Sequence, residues 1–75
     1  MIQHKIKLTA ADVKDFVAAA SKSSYDIDIM YNGYYVDAKS ILGVLGLDLT
    51  KVLTVKCHGY DPAFESYITR YSLAC

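Results

Sequence analysis

The sequence predicts an α+β fold, in which a four-stranded, mostly antiparallel sheet carries three helices on one face. Four short segments alternate apolar and polar residues with the period of two that a half-buried strand requires. Two other segments repeat apolar residues at the i, i+3, i+4, i+7 spacing of an amphipathic helix. With a short third helix, the order is βαββαβα, which favours a layer of helices on one face of an antiparallel sheet and water on the other.

The first strand and the first helix are joined by a capping signal. Residues 2–8 alternate, and the residues expected to face the core are Ile2, His4, Ile6 and Leu8. Thr9 is the expected N-cap residue, and Asp12 is expected to reach back to it in a capping box. The helix is then predicted over residues 10–22, with an apolar stripe formed by Val13, Phe16, Val17 and Ala20.

A β-hairpin is predicted next. Residues 25–31 form its first strand and residues 34–38 its second strand. Asn32-Gly33 lies between them and is a strong two-residue turn signal, because both residue types tolerate a positive φ. The alternation directs the following residues inward: Ile27, Ile29, Tyr31, Tyr34 and Val36.

The second half of the chain adds a short helix, a strand and a longer helix. Ser40 is a good N-cap residue for the short helix, which is expected to end near Gly46. Residues 52–58 alternate as the fourth strand, and Asp61 followed by Pro62 predicts the start of the last helix. The residues of these last two elements that are expected to face the core are Leu53, Val55, Cys57, Phe64, Tyr67, Ile68 and Tyr71.

Length and composition narrow the possible functions. The 75 residues are expected to form one domain, residues 1–75, without internal repeats. Eight Lys and Arg balance eight Asp and Glu, so we expect no nucleic-acid partner. The longest apolar run, residues 41–47, is far shorter than the roughly 20 residues of a membrane span. The N-terminal residues lack the apolar stretch of a signal peptide, so we expect a cytoplasmic protein without a membrane partner.

The titratable residues do not suggest an enzyme, a metal site or a cofactor. His4 is predicted on the inner face of the sheet and His58 on the outer face, so these two side chains cannot share a metal ion. We interpret both histidines as structural and Cys57 as a thiol of the core. Cys75, the last residue, is either an exposed free thiol or a link between two chains.

Residues 41–47 contain more apolar side chains than one buried helical stripe can accept. If Val44 and Leu47 pack on the sheet, three side chains stay partly exposed, as is typical of an interaction site. These three are Ile41, Leu42 and Leu45. The alternative is that another helix of the same chain covers them. Ser40 is either an ordinary N-cap or a phosphorylation site, where a dianion would meet the positive end of the helix.

At this segment the sequence resembles the HPr family, the histidine-containing phosphocarriers of the bacterial sugar phosphotransferase system. The family's regulatory stretch reads Lys-Ser-Ile-Met-Gly-Val-Met-Ser-Leu, and this chain reads Lys39-Ser40-Ile41-Leu42-Gly43-Val44-Leu45-Gly46-Leu47. The hairpin and the end of the first helix, Ala20-Ser21-Lys22, also match, and the resemblance runs from Ile2 to about Tyr71. It implies the family's open-faced βαββαβα sandwich.

The chain departs from the family at the active site. The family's motif is Gly-Ile/Leu-His-Ala-Arg-Pro-Ala, between the first strand and the first helix, and its histidine takes phosphate from enzyme I. Here the chain reads Leu8-Thr9-Ala10-Ala11-Asp12-Val13-Lys14, a shorter segment without histidine, arginine or proline. Asp12 brings a negative charge to the place of the phosphoryl group. We therefore expect that the phosphocarrier role is lost.

What the resemblance still implies is a regulatory role. In Gram-positive relatives the matching serine is phosphorylated by the HPr kinase/phosphorylase, and the modified protein binds catabolite control protein A. A sub-branch of the family lacks the catalytic histidine and keeps only this serine. By resemblance, Ser40 is the phosphosite, Ile41, Leu42 and Leu45 form the docking patch, and Lys39 lies at its edge.

A second hypothesis has a different class of function. In this hypothesis the chain keeps the fold as a scaffold or oligomerisation module that has no role in sugar transport. The apolar side of the short helix would then be a self-association face. The sequence leaves the oligomeric state open.

Overall fold

The computed structural model describes residues 1–73, and it confirms the predicted order of strands and helices. One antiparallel sheet has the strand order β1-β4-β2-β3. Its strands are β1 (Ile2–Ile6), β2 (Ile27–Tyr31), β3 (Tyr34–Asp37) and β4 (Leu53–Cys57). The helices are α1 (Ala10–Ser21), α2 (Ile41–Leu45) and α3 (Pro62–Ile68), and α3 continues into a 3₁₀ turn (Thr69–Tyr71). Cys75 lies outside the described residues.

The hydrophobic core lies between the sheet and the layer of helices. Phe16 of α1 and Phe64 of α3 meet edge to face, with their ring centroids 6.1 Å apart, an arrangement that the ring quadrupoles favour. The strands contribute every second residue to this core, as the alternation predicts, and their fully buried members are Ile6, Ile27, Ile29, Leu53, Val55 and Cys57. The inner face of the sheet is therefore the one that the helices cover.

The hairpin turn forms at the predicted residues. Asn32 and Gly33 have φ values of 51° and 82°, the left-handed conformations that a tight two-residue turn requires. Tyr31 pairs with Tyr34 across the turn, and Ile29 pairs with Val36 further along the hairpin. The turn thus fixes the register of β3, the strand at the edge of the sheet.

The prediction that Tyr34 faces the core is wrong. Tyr34 directly follows the turn, and 70% of its surface is exposed. Helix α2 lies over Val36, further along β3, and it ends before it covers the tip of the hairpin. A residue with inward alternation needs a covering layer to become buried, and this layer is missing at the tip.

The outer face of the sheet is polar, as predicted. Lys56 donates to the hydroxyl of Tyr35 at 3.0 Å, and His58 Nε2 lies 2.9 Å from Asp28 Oδ2. His4 lies on the inner face, where its Nε2 is 2.7 Å from Oε1 of Glu65 in α3. The two histidines are therefore on opposite faces of the sheet. Among residues 1–73, no helix is both long enough and apolar enough to cross a membrane.

Candidate functional site

Helix α2 exposes most of its apolar side chains, as the sequence predicts. Val44 is fully buried, and Leu47, just beyond the helix, packs against the core. The remaining apolar residues of α2 form what we call the outer patch: Ile41, Leu42 and Leu45, which are 43%, 81% and 47% exposed. Within the described part of the chain, the alternative of a helix that covers them is wrong.

Gly43 lets α2 approach the sheet closely. A Cβ atom at this position would lie 2.6 Å from Cγ1 of Val36, far inside van der Waals contact. Glycine therefore sets the distance between α2 and β3. The same close packing turns the outer patch away from the core.

Ser40 is the N-cap residue of α2. Its backbone is extended, and its Oγ accepts a hydrogen bond from the Gly43 N–H at 3.2 Å. The residue is exposed, so the hydroxyl can be reached from solvent. The structure thus brings Ser40 next to the outer patch, and both face outward.

Lys39 connects the start of α2 with the end of α1. Its backbone N–H donates to Asp37 Oδ1 at 2.9 Å, and its ammonium group donates to the carbonyl of Ser23 at 2.9 Å. The residue is only partly exposed. The ammonium group of Lys39 therefore points to the segment after α1. This contact helps to fix the position of Ser40, the next residue.

An open groove of about 480 Å³ continues the outer patch toward the hairpin. The residues that line it include Leu42 and Leu47, from α2 and the segment after it, and Tyr34 and Tyr35, from β3. Tyr34 is a surface residue of this region that the alternation pattern assigns to the core instead. The signal that could have identified it is its position directly after the Asn-Gly turn, where the covering helix does not reach.

At the beginning of α1, the side chain of Asp12 binds the N-cap residue Thr9. Asp12 Oδ2 accepts hydrogen bonds from both the N–H and the hydroxyl of Thr9, each at 2.9 Å. These bonds, the one from the backbone first, lower the pKa of Asp12 below its ordinary value. The predicted reach of Asp12 back to the N-cap residue is confirmed, and a carboxylate lies at the start of this helix.

Three polar side chains that the sequence analysis did not combine lie together on the inner side of the sheet. The potential ligand atoms of His4, Cys57 and Glu65 all lie within 4.8 Å of one another. Burial, followed by the charge of Glu65, raises the pKa of the Cys57 thiol to about 11. Alternation correctly turns His4 and Cys57 to the same face, but it does not reveal the register of β1 on β4 or the position of α3.

Comparisons with known proteins agree with this architecture. The family model described as "PTS HPr component phosphorylation site" matches residues 1–66. The curated phosphocarrier protein HPr of Buchnera aphidicola subsp. Acyrthosiphon pisum is 35% identical over 69 residues, and the match covers 81% of each chain.

Solved structures similar to the chain share its fold. HPr-C-His from Thermoanaerobacter tengcongensis superposes with a TM-score of 0.74 at 28% identity, covering 92% of each chain. HPr from Bacillus anthracis str. Ames gives 0.72 at 26% identity, covering 95% of this chain and 96% of its own. Crh, the catabolite repression containing protein of Bacillus subtilis, gives 0.65 at 26% identity, with coverages of 99% and 93%. These neighbours confirm the open-faced sandwich.

Proposed function

The chain belongs to the HPr family of the bacterial phosphotransferase system, and we propose that it is a non-catalytic, cytoplasmic regulatory member that docks protein partners through α2. HPr-family proteins are phosphocarriers that interact with other proteins of this system. In our proposal, Ser40 is phosphorylated, and the outer patch contacts the partner, with Lys39 at its edge. One observation carries the proposal: three apolar side chains and a serine hydroxyl are exposed side by side on one short helix.

The outer patch has the properties of a protein-binding surface. Leu42 is 81% exposed, and burial of apolar surface yields roughly 25 cal/mol per Å². Tyr34, which is 70% exposed, extends this surface across the groove, and aromatic residues are enriched in the centres of protein interfaces. A partner that covers α2 and the hairpin tip would therefore bury a continuous apolar strip.

Ser40 would make this surface dependent on a signal. A phosphate on its Oγ adds about two negative charges and three strong acceptors beside the outer patch. A partner with arginine near an apolar contact would then bind the modified form more tightly.

The start of α1 supports the absence of a phosphocarrier role. The segment between β1 and α1 holds no histidine, and Asp12 places a carboxylate there. Like charges that come close to each other repel. A phosphoryl group at this position would meet that repulsion without an acceptor imidazole.

Phosphorylation by an HPr kinase/phosphorylase with ATP tests the proposal. We expect a label on Ser40 that Ser40→Asn abolishes, because asparagine keeps the N-cap but carries no hydroxyl group. Ser66→Ala removes another exposed serine, on α3, and is expected to leave the label unchanged. Absence of a label on the folded wild-type chain would contradict the serine switch.

Binding to catabolite control protein A tests the docking surface separately. For the phosphorylated chain, Leu42→Asp is expected to weaken binding by about 30-fold or more, the effect of a hot-spot residue worth about 2 kcal/mol. The matched control is Val52→Asp, a substitution at an exposed apolar residue outside α2. Equal effects of the two substitutions would argue against the outer patch.

The alternative is self-association through α2. It is favoured by one observation: the structure of Crh is described as a dimer with a swapped domain. Sedimentation of the purified chain distinguishes the two hypotheses. A dimer that Leu45→Asp dissociates, together with no labelling by the kinase, would favour an oligomerisation module.

A further inference from the structure

Three elements bring an imidazole, a thiol and a carboxylate together at one end of the sheet. His4 lies in β1, Cys57 is the last residue of β4, and Glu65 lies in the middle of α3. Their potential ligand atoms lie within 4.8 Å of one another, and His4 Nε2 is 2.7 Å from Glu65 Oε1. His4 and Glu65 are 61 positions apart, so this arrangement exists only in the folded chain.

One atom of the cluster lacks a partner in the described residues. Glu65 Oε2 is buried, and it forms no hydrogen bond with any group of residues 1–73. A buried carboxylate oxygen without a partner is destabilising, so such atoms are rare in native proteins. The Cys57 thiol is the neighbouring group that can donate to this carboxylate, and a thiol is only a weak donor. The hydrogen bond between His4 and Glu65 therefore does not satisfy the whole carboxylate.

We propose that His4, Cys57 and Glu65 bind a zinc ion. Imidazole nitrogen, thiolate sulfur and carboxylate oxygen are the ligands that zinc takes, whereas calcium and magnesium take oxygen ligands only. Three protein ligands leave the fourth tetrahedral position for water. The third ligand comes from a helix and the other two from neighbouring strands, so the ion would tie α3 to the sheet.

The local charges suit a divalent cation. On binding, the Cys57 thiol releases its proton to solvent, and the thiolate and the Glu65 carboxylate together neutralise Zn²⁺. Asp61, at the start of α3, adds a further negative charge that acts on Cys57. The neutral imidazole of His4 completes the protein ligands without adding a charge.

Zinc binding requires adjustment of three side chains whose ligand atoms start within 4.8 Å of one another, and His4 is the most exposed of the three. Bond lengths of about 2.0–2.1 Å to zinc imply a nitrogen–oxygen separation of about 3.3 Å in a tetrahedral site. The His4–Glu65 pair would therefore open by roughly half an ångström from its 2.7 Å contact. His4 also lines an open depression of about 300 Å³ together with Ser72 and Leu73, so solvent reaches the cluster from the side of His4.

Cobalt titration of the whole chain tests the site, because tetrahedral Co²⁺ bound to a thiolate has characteristic visible bands and a near-ultraviolet charge-transfer band. The Cys75→Ser variant leaves Cys57 as the only thiol, and we expect it to bind one Co²⁺ with both features. Cys57→Ser is expected to lose the charge-transfer band. His4→Gln and Glu65→Gln are expected to weaken binding at least tenfold, whereas His58→Gln, a change at the other histidine, leaves it unchanged.

Zinc-dependent stability gives an independent result. We expect zinc to displace cobalt and to raise the Tm of the Cys75→Ser variant, but not the Tm of its Glu65→Gln derivative. A cooperatively unfolding Cys75→Ser variant without a charge-transfer band would overturn the proposal. A band that persists when His4→Gln and Glu65→Gln are combined would also overturn it, since a single thiol would then account for the binding.

Discussion

The N-termini of α1 and α2 differ in what they leave available to other molecules. At α1, the Asp12 carboxylate accepts from both donor groups of Thr9, and the preceding Leu8 is buried. At α2, a neutral hydroxyl caps the helix and stays exposed, and the apolar residues that follow point to solvent. At the first helix start the polar groups of Thr9 and Asp12 bind each other, whereas the second start presents an exposed hydroxyl and an apolar surface.

In our proposal, this difference places the interaction surface of the chain on α2. Family membership alone would suggest the segment before α1, because that is where the family's phosphate-accepting histidine lies. In this chain, an exposed hydroxyl and exposed apolar side chains lie together at α2 instead. The contrast also separates buried residues that stabilise the fold from exposed residues whose substitution leaves stability nearly unchanged.

The largest difference in stability is expected between a substitution on the buried side of α1 and one on the exposed side of α2. Phe16→Ala in α1 removes a fully buried ring and is expected to lower the free energy of unfolding by about 3–5 kcal/mol. Leu42→Ala in α2 removes an exposed side chain and is expected to change it by less than about 0.5 kcal/mol. Urea denaturation measures both variants.

If Phe16→Ala does not fold, Phe16→Leu provides a smaller change of the same sign. A loss of stability for Leu42→Ala as large as that for Phe16→Leu would show that the outer patch supports the fold. The comparison between the two helices would then break down.

A pair of glycine substitutions tests how α2 is seated. Gly43→Ala places a methyl group 2.6 Å from Cγ1 of Val36. The resulting overpacking is expected to lower the free energy of unfolding by about 1–3 kcal/mol, more than the gain in helix propensity raises it. Gly46→Ala meets its nearest atoms at 3.5 Å with an ordinary φ of −76°, so a stabilisation of about 0.4–1 kcal/mol is expected. Thermal unfolding measures both variants. If the two substitutions shift the Tm in the same direction, the close approach of α2 to β3 is contradicted.

The pH dependence of the α1 cap is expected to be a smaller effect. Hydrogen bonds from Thr9 lower the pKa of Asp12 in the folded chain below its ordinary value of 3.8. The carboxylate therefore stabilises the fold above that value, and this contribution disappears as the pH falls through the folded-state pKa. The difference in stability between wild type and Asp12→Asn should be largest at neutral pH and should shrink below pH 3.8.

Denaturation curves recorded at several pH values measure this difference. Thr9→Val removes the hydroxyl donor and should reduce the pH dependence without eliminating it, since the backbone N–H of residue 9 remains. A difference between wild type and Asp12→Asn that grows on acidification would contradict the cap.

Local patterns in the sequence predict most of the fold because the rules behind them are local. The Asn32-Gly33 turn, the alternation in β4 and the cap at Ser40 each depend on neighbours within a few positions. The error at Tyr34 has a non-local cause. Alternation states which face a side chain is on, but only the length of α2 decides whether that face is covered.

The candidate sites differ in the same way. The outer patch is predictable because the apolar residues of one short helix exceed its buried stripe. The cluster of His4, Cys57 and Glu65 is not, because it depends on the register that pairs Ile2 with Cys57 and on where α3 lies above β1 and β4. Sequence patterns do not determine how distant segments are paired.

Parallel phosphorylation of one preparation tests the central claim most directly. One sample receives phosphoenolpyruvate and enzyme I, the other receives ATP and an HPr kinase/phosphorylase, and mass spectrometry locates the phosphate in each. We predict phosphoserine at Ser40 in the second sample and no phosphate in the first. An acid-labile phosphohistidine at His4 or His58 after treatment with enzyme I, or an unmodified Ser40 after treatment with the kinase, would contradict the account.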